Sequence, residues 1–235
     1  MKNFLYPILL ILFFQGKEEN KTADPTLYLN DLKTELKKEW PKNRTINLVF
    51  HGHSVPAGYF KTPTVNSFKA YPFQVLKKLK ASYPYAVINV IVTSIGGENS
   101  LSGEKRFKSD VLPHKPDVLF IDYALNDRRA GLPNARKAWE KMIQKALKKN
   151  IKVILLTPSP DQRVNILEPK NELEQHALQI RTLSNNFGVG LVDSHEIFKD
   201  KILSGDSLTS YMSQVNHPNE KGHELIAEEI MKFFQ

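Results

Sequence analysis

The sequence predicts an α/β fold, a three-layer α/β/α sandwich around a five-stranded parallel sheet of flavodoxin-like type. Short β-branched apolar segments alternate with segments of helical spacing, and the strand-like segments are apolar almost throughout. Alternation of this kind is typical of βαβ units, and continuous apolar strands are typical of a sheet covered on both faces. A closed eight-stranded barrel needs about 250 residues and three more βα units, so it does not fit.

The predicted strands are short apolar runs, and the predicted helices repeat apolar residues every three or four positions. The strands are 46–50, 86–93, 117–123, 151–157 and 189–193. The helices are 26–40, 68–82, 101–111, 134–149, 171–187 and 219–233. Asn134 is the predicted N-cap of its helix, and Gly188 is predicted to end the helix before the last strand.

Composition excludes several classes of site and partner. The 235 residues include no cysteine, which excludes a disulfide scaffold, a thiolate zinc site and a cysteine nucleophile. The formal net charge is +8. Lysines such as Lys77, Lys78 and Lys80 fall on predicted helix faces without interleaved aromatic residues, which favours a solvated basic surface. We therefore expect no nucleic-acid partner.

The amino terminus predicts export to the periplasm or the extracellular space. Residues 1–16 contain Lys2 followed by an apolar run from Phe4 to Phe14. That run has the length of a signal-peptide core and is too short for a stable membrane span, which takes about 20 apolar residues. Gly16 is small, but Phe14 two positions earlier is large, which disfavours cleavage after Gly16; a docked hydrophobic first helix is the alternative to a signal peptide. We assign 17–25 to a linker and 26–235 to one domain.

Four residue types needed for acyl transfer follow the predicted strands or precede the last helix. They are Ser54, Gly96, Asn126 and His217. Ligands of a parallel sheet bind beyond the carboxyl ends of its strands, so these residues are expected on one rim. A hydroxyl becomes nucleophilic when an imidazole takes its proton, and the resulting oxyanion needs preorganised N–H donors. Gly96 lets a main-chain N–H approach closely, and Asn126 offers an amide.

These residues resemble the four sequence blocks of the SGNH (GDSL-type) hydrolases. The matching segments are Gly52-His53-Ser54, Gly96 with Gly97 as a competitor, Ala124-Leu125-Asn126-Asp127, and Gln214-Val215-Asn216-His217-Pro218. The resemblance implies Ser54 as nucleophile, His217 as base, and an oxyanion hole of the Ser54 N–H, the Gly96 N–H and the Asn126 amide. It also implies an esterase without metal or cofactor. The expected substrate is a small-molecule or carbohydrate ester with a short acyl group, such as acetyl.

Three positions depart from the pattern of that family. His53 stands where the family has Asp, Ala124 replaces Gly, and Gln214 replaces the Asp that orients the catalytic histidine. Loss of that carboxylate can cost about 10⁴ in turnover through the wrong imidazole tautomer. We expect a Ser–His dyad in which the Gln214 amide or a backbone carbonyl accepts from His217. His53, Asp127 and Gln214 are the predicted supporting residues, and Asp127 is expected to be structural.

Two alternatives remain at this stage. His51 and His53, with His217 or His223, have the donor type of a metal site, although no carboxylate lies near His53 in the sequence. The altered acid position also fits a fold that has lost catalysis and binds a carbohydrate or a protein at the same rim.

Overall fold

Five parallel strands form the central sheet of the computed structural model, which describes residues 21–235. They are β1 (Thr45–Gly52), β2 (Val87–Val92), β3 (Val118–Asp122), β4 (Lys152–Leu156) and β5 (Gly190–Val192). The strand order is β2-β1-β3-β4-β5 and every pair is parallel. This is the order of a flavodoxin-like sheet, which confirms the predicted fold class. The predicted signal peptide 1–16 lies outside the described residues.

Nine α-helices and a two-stranded ribbon complete the part of the chain that the structure describes. The helices are α1 (Pro25–Tyr28), α2 (Asn30–Leu36), α3 (Ser54–Ala57), α4 (Tyr71–Ser82), α5 (Ser100–Asp110), α6 (Leu132–Leu147), α7 (Glu172–Phe187), α8 (Ser194–Leu203) and α9 (Glu220–Met231). The antiparallel ribbon consists of β6 (Met212–Gln214) and β7 (His217–Pro218). Among residues 21–235, no helix has both the length and the apolar character needed to cross a bilayer.

The sheet separates two hydrophobic cores, because successive side chains of a strand point to opposite faces. In β3, Phe120 packs into the core under α2, α4 and α9, whereas Leu119 packs into the core under α5, α6 and α7. Both side chains are fully buried. The ends of the strands are therefore covered by packed helices on both faces of the sheet.

Three local predictions were wrong. The predicted helix 26–40 is two short helices, with a break at Leu29 and an end at Leu36. Helix α6 begins at Leu132, so Asn134 lies inside it; Gly131 is the N-cap, and a proline occupies the first turn, where it is favoured. Helix α8 was not predicted. The helix end at Gly188 was placed correctly, since that residue has the left-handed φ of 61° that favours glycine.

Candidate active site

Ser54 lies directly beyond the carboxyl end of β1, at the start of α3, and is 7% exposed. The backbone reaches this position because residue 52 is glycine. A Cβ on Gly52 would lie 2.4 Å from the Asp122 carbonyl oxygen, so no side chain fits where β1 runs closest to β3. The His53 N–H then donates to that same oxygen at 3.2 Å. The end of β3 thus fixes the residue that precedes Ser54.

His53 is the N-cap of α3, so Ser54 does not have to fill that role. The His53 Nδ1 accepts the Val55 N–H at 3.1 Å. Since an accepting nitrogen carries no proton, the neutral ring holds its proton on Nε2. That Nε2 lies 3.3 Å from the Asp122 Oδ1, and neither atom has a hydrogen bond elsewhere among the described residues. The other Asp122 oxygen accepts from the Tyr71 hydroxyl at 3.1 Å.

The Ser54 hydroxyl faces His217, which lies in β7. Ser54 Oγ is 2.9 Å from His217 Nε2, and His217 Nδ1 is 2.8 Å from the Phe60 carbonyl oxygen. A carbonyl only accepts, so Nδ1 must carry the ring proton and Nε2 must be the free acceptor. That tautomer is the one in which the imidazole can accept the serine proton.

A backbone carbonyl of a short loop, rather than the Gln214 amide, is therefore the partner of His217. Tyr59 and Val65 form an antiparallel bridge that closes the loop, whose residues 61–65 are exposed. The Gln214 Oε1 accepts the Thr62 N–H at 2.9 Å. Gln214 thus bonds the loop that carries the acceptor, and within residues 21–235 its side chain makes no hydrogen bond to the imidazole. Of the two acceptors that the sequence left open, the structure has the carbonyl.

Burial lowers the pKa of His217 from its ordinary value of 6.5, and the nearby His53 acts in the same direction. The hydrogen bond to the Phe60 carbonyl opposes this shift. Burial disfavours the imidazolium because charge is poorly solvated there. At neutral pH His217 is consequently uncharged, as a general base must be.

A cavity of about 310 Å³ opens in front of Ser54 and His217, and Gly96 and Asn126 also line it. Neither the Ser54 N–H nor the Gly96 N–H makes a hydrogen bond within residues 21–235. Both stay available to a ligand. A Cβ on Gly96 would lie 3.1 Å from the Tyr59 ring, whereas Gly97 has open space and a φ of +80°. Gly96 is therefore the close-approach glycine, and Gly97 makes the turn.

Asn126 begins a 3₁₀ turn, 127–129, after β3, and one of its amide hydrogens bonds the Glu98 carbonyl oxygen at 2.9 Å. The other amide hydrogen makes no hydrogen bond to any residue in the described range 21–235, so it can donate to a ligand. Asp127 is fully buried and holds the turn in place. Its two carboxylate oxygens accept the Ser100 N–H at 2.7 Å and the Trp139 indole N–H at 2.6 Å. Asp127 faces the core, in the structural position that was expected.

The third departure from the family pattern, Ala124, is also accommodated. Among the described residues, only Lys115 and Asn150 combine a side chain with positive φ, so Ala124 occupies a backbone conformation open to alanine.

The side chains of His51 and His223 lie in the two cores rather than on the rim. Burial lowers the pKa of His51 to about 4 and that of His223 to about 3.

The histidines of the alternative metal site do not come together. His51 bonds Thr93 at 2.9 Å and the Gly103 carbonyl at 3.1 Å, on the α5 side of the sheet, whereas His53 faces Asp122. Within residues 21–235, no three side chains of the metal-binding types form a cluster. The side chains that meet at the rim are instead Ser54, Asn126 and His217.

Several solved structures that are similar to this chain in fold are esterases. A two-domain esterase active on acetylated mannans has a TM-score of 0.74 and is 22% identical, with 92% of this chain and 55% of that one covered. This chain thus spans about half the length of that protein. An acetylxylan esterase from Geobacillus stearothermophilus has a TM-score of 0.70 and is 20% identical, with 80% and 94% covered. No curated protein sequence is significantly similar to this chain.

The family comparison covers most of the sequence. The model of the GDSL-like lipase/acylhydrolase family matches residues 50–225, a range that contains Ser54, Gly96, Asn126 and His217. The acetyl esterases share the same sheet and helix arrangement. The chain therefore belongs to the GDSL-like lipase/acylhydrolase family.

Proposed function

We propose that this protein is a serine esterase that removes a short acyl group, acetyl in the first place, from a carbohydrate. The observation that carries the proposal is the chain of two hydrogen bonds, 2.9 Å from Ser54 Oγ to His217 Nε2 and 2.8 Å from His217 Nδ1 to the Phe60 carbonyl. This geometry supports a nucleophile, a base in the correct tautomer, and an acceptor that holds the tautomer.

In the proposed reaction, the Ser54 oxygen attacks the ester carbonyl carbon while its proton passes to His217 Nε2. The tetrahedral intermediate collapses, the C–O bond to the sugar breaks, and the imidazolium returns that proton to the leaving sugar oxygen. Water, deprotonated by the same nitrogen, then attacks the acyl carbon; the bond to Ser54 Oγ breaks, the acid leaves, and the imidazolium returns the proton to Ser54 Oγ. The Phe60 carbonyl stabilises the imidazolium less than a carboxylate would, because it carries only a partial charge.

The proposed oxyanion hole uses the Ser54 N–H, the Gly96 N–H and the Asn126 amide. All three residues line the cavity in front of the serine. Loss of one such donor typically costs about 10²–10³ in turnover.

The size and polarity of the cavity support a short acyl group on a polar alcohol. Its volume is about 310 Å³, and its lining is largely hydroxyl, amide and glycine residues. Its members are Ser54, Tyr59, Thr62, Gly96, Gly97, Asn126, Arg129, Asn216 and His217. Such a lining offers hydrogen-bond partners to sugar hydroxyls and little apolar surface to a long chain. The similar solved structures are esterases of acetylated mannan and xylan, which also favours this substrate class.

We further propose that the protein acts outside the cytoplasm. The apolar run 4–14 supports export, and acetylated polysaccharides are found outside cells. Cell fractionation of the full chain and of a variant without residues 1–16 tests this part of the proposal. Cytoplasmic retention of both would contradict it.

The decisive experiment measures nitrophenol release from the acetate, butyrate and octanoate esters by the wild type and by Ser54→Ala. We expect acetate to be cleaved fastest and the variant to lose turnover entirely, because within residues 21–235 Ser54 carries the hydroxyl that is hydrogen-bonded to His217 Nε2. Ser109→Ala is the matched control, since that serine lies exposed on α5.

Labelling by a fluorophosphonate probe gives a second readout that needs no substrate. We expect the wild type to be labelled and Ser54→Ala to remain unlabelled. Equal hydrolysis by both proteins would remove Ser54 as the nucleophile. Absence of both hydrolysis and labelling in the wild type would instead favour a binding protein that keeps the fold without the chemistry.

A further inference from the structure

A second cavity of about 440 Å³ adjoins the cavity in front of Ser54. The two share Asn126, Arg129 and Asn216 in their linings. The two cavities are therefore adjacent, and a substrate whose ester carbonyl lies against Ser54 can extend toward the second cavity along Asn126 and Asn216. Arg129 lies at the junction of the two cavities.

Most of the charge in the second cavity is already paired. Arg128 bonds the Asp161 and Glu172 carboxylates at 2.6 Å each, and Arg163 bonds Asp161 at 2.6 Å. These two guanidinium groups are balanced by the two carboxylates. The side chain of Asp161 is fully buried, and the adjacent arginines lower its pKa, although burial alone raises it, so the carboxylate is charged at neutral pH.

Among the three arginines that line the second cavity, Arg129 is the one without a carboxylate partner in the described part of the chain. Its guanidinium makes no hydrogen bond or ion pair with any side chain or carbonyl in residues 21–235, and the residue is exposed. Of the side chains that line the cavity in front of Ser54, Arg129 is the one with a permanent charge. It also lies in the same 3₁₀ turn as Asp127, whose contacts with Ser100 and Trp139 fix the turn.

An unpaired guanidinium that is carried by a fixed turn and lines the same cavity as the reacting serine selects for negative charge. Arginine binds carboxylate and sulfate groups through parallel N–H donors, and such charge-assisted hydrogen bonds are about twice as strong as neutral ones. No carboxylate lines the cavity in front of Ser54, so nothing there repels an anion. In the adjoining cavity, the lining carboxylate of Glu172 is bonded to Arg128.

We propose that the sugar substrate of this esterase carries an anionic group, a carboxylate or a sulfate, next to the acylated position, and that Arg129 binds it. This inference rests on the proposed function and narrows its substrate class from acylated sugars to acidic acylated sugars. Arg129 is a specificity residue in this proposal and takes no part in proton transfer.

The test compares three acetylated sugars that differ at one carbon. They are the mono-O-acetyl esters of methyl glucoside, methyl glucuronoside and methyl glucoside 6-sulfate, assayed for kcat/KM with the wild type, Arg129→Gln and Arg129→Lys. We expect the wild type to prefer an anionic ester over the neutral one by about tenfold or more. The two anionic arms distinguish carboxylate from sulfate. In Arg129→Gln the preference should disappear, and Arg129→Lys should keep part of it.

A matched control removes one charge away from the cleft. Lys141 is exposed on α6 and lines neither cavity, so Lys141→Gln should keep the wild-type preference. A wild-type ratio near one, or an unchanged ratio in Arg129→Gln, would overturn the proposal. If Lys141→Gln lost the preference as well, net charge rather than Arg129 would be responsible, and the proposal would also fail.

Binding to Ser54→Ala separates this inference from the proposed function. Calorimetric titration with the same three sugars reports anion selectivity without turnover. Preference for an anionic sugar here would support Arg129 even if the protein hydrolysed no ester. Nitrophenyl acetate cleavage that depends on Ser54, combined with no anion preference, would instead leave the esterase proposal intact and remove the role of Arg129.

Discussion

The two halves of the cleft are supported in different ways. Ser54 and Asn126 rest on buried charged or polar side chains, since His53 and Asp127 are fully buried and Asp122 is 3% exposed. His217, on the other half, is oriented by a carbonyl in an exposed loop that a Gln214 side chain holds at one point. The half with Ser54 and Asn126 is thus supported by the core, whereas the orientation of His217 depends on an exposed loop.

This difference determines what a substitution can do. Removing a buried partner leaves donors without acceptors in the core, which costs about 1–3 kcal/mol for each unsatisfied group. Removing an exposed partner lets water replace it, so the fold is little affected while the geometry of the base changes. Substitutions in the core-supported half should therefore lower activity and stability together. Substitutions in the loop-supported half should lower activity and leave stability nearly unchanged.

Replacement of Asp127 should have the largest effect on stability. In Asp127→Ala, the Ser100 N–H and the Trp139 indole N–H both lose their buried acceptor. We expect the free energy of unfolding to fall by about 2–6 kcal/mol, measured by urea denaturation. Turnover should fall as well, because Asn126 precedes this residue in the same turn.

Asp127→Asn is the graded control. Its amide oxygen can still accept from one of the two donors, so its loss of stability should be intermediate. If Asp127→Ala had the same urea midpoint of unfolding as the wild type, the buried contacts of Asp127 would not stabilise the turn that carries Asn126. The contrast between the two halves would then fail.

The buried parts of this half were only partly predictable from the sequence. Ser54, Gly96 and Asn126 could be placed because parallel strands end at one edge, and that argument needs only the order of the elements. The sequence of helix α8 contains a start signal from which the helix could have been predicted. Asp193 caps it by accepting the Glu196 N–H, and a capping residue followed three positions later by Glu is a known start signal.

His53→Asp should have the next largest effect. It restores the residue that the family resemblance leads one to expect, but it places a second carboxylate in the buried site of Asp122. Two carboxylates in one desolvated site cannot both ionise without a penalty. We expect a destabilisation of about 1–3 kcal/mol and a loss of turnover of about tenfold or more, because Ser54 follows this residue directly.

Two further variants identify repulsion as the cause. His53→Asn keeps a side chain that caps helices well and adds no charge, so it should be milder. The double variant His53→Asp with Asp122→Asn removes the repulsion and should recover part of the turnover. If the double variant had no more turnover than His53→Asp, repulsion between the two carboxylates would not be the cause. The site would then require the imidazole ring itself.

The sequence could not indicate which residue accepts the hydrogen bond from His217, for a physical reason. Its acceptor is the main-chain oxygen of Phe60, and every residue carries such an oxygen. Only the folded loop decides which carbonyl reaches the imidazole. The sequence nevertheless indicated that some substitute was needed, because glutamine stands at position 214.

Substitutions of Gln214 should have the smallest effect on stability and the clearest effect on the base. In Gln214→Ala the Thr62 N–H loses its acceptor, and the Phe60 carbonyl is held less firmly against His217. We expect turnover to fall by about tenfold while the free energy of unfolding changes by no more than about 0.5 kcal/mol. Gln214→Glu keeps an oxygen for the Thr62 N–H and should retain most of the turnover.

The pH dependence of kcat/KM distinguishes these two roles of position 214. Protonated His217 cannot take the Ser54 proton, so activity is lost as the pH falls through the pKa of His217. Because burial lowers that pKa, the wild type should stay active below pH 6.5. Gln214 pairs with His217 across the β6–β7 ribbon, so a carboxylate at 214 raises the His217 pKa by favouring the imidazolium. Gln214→Glu should therefore lose activity at a higher pH than the wild type does. An unchanged acid limb would mean that the side chain at 214 acts on the loop alone.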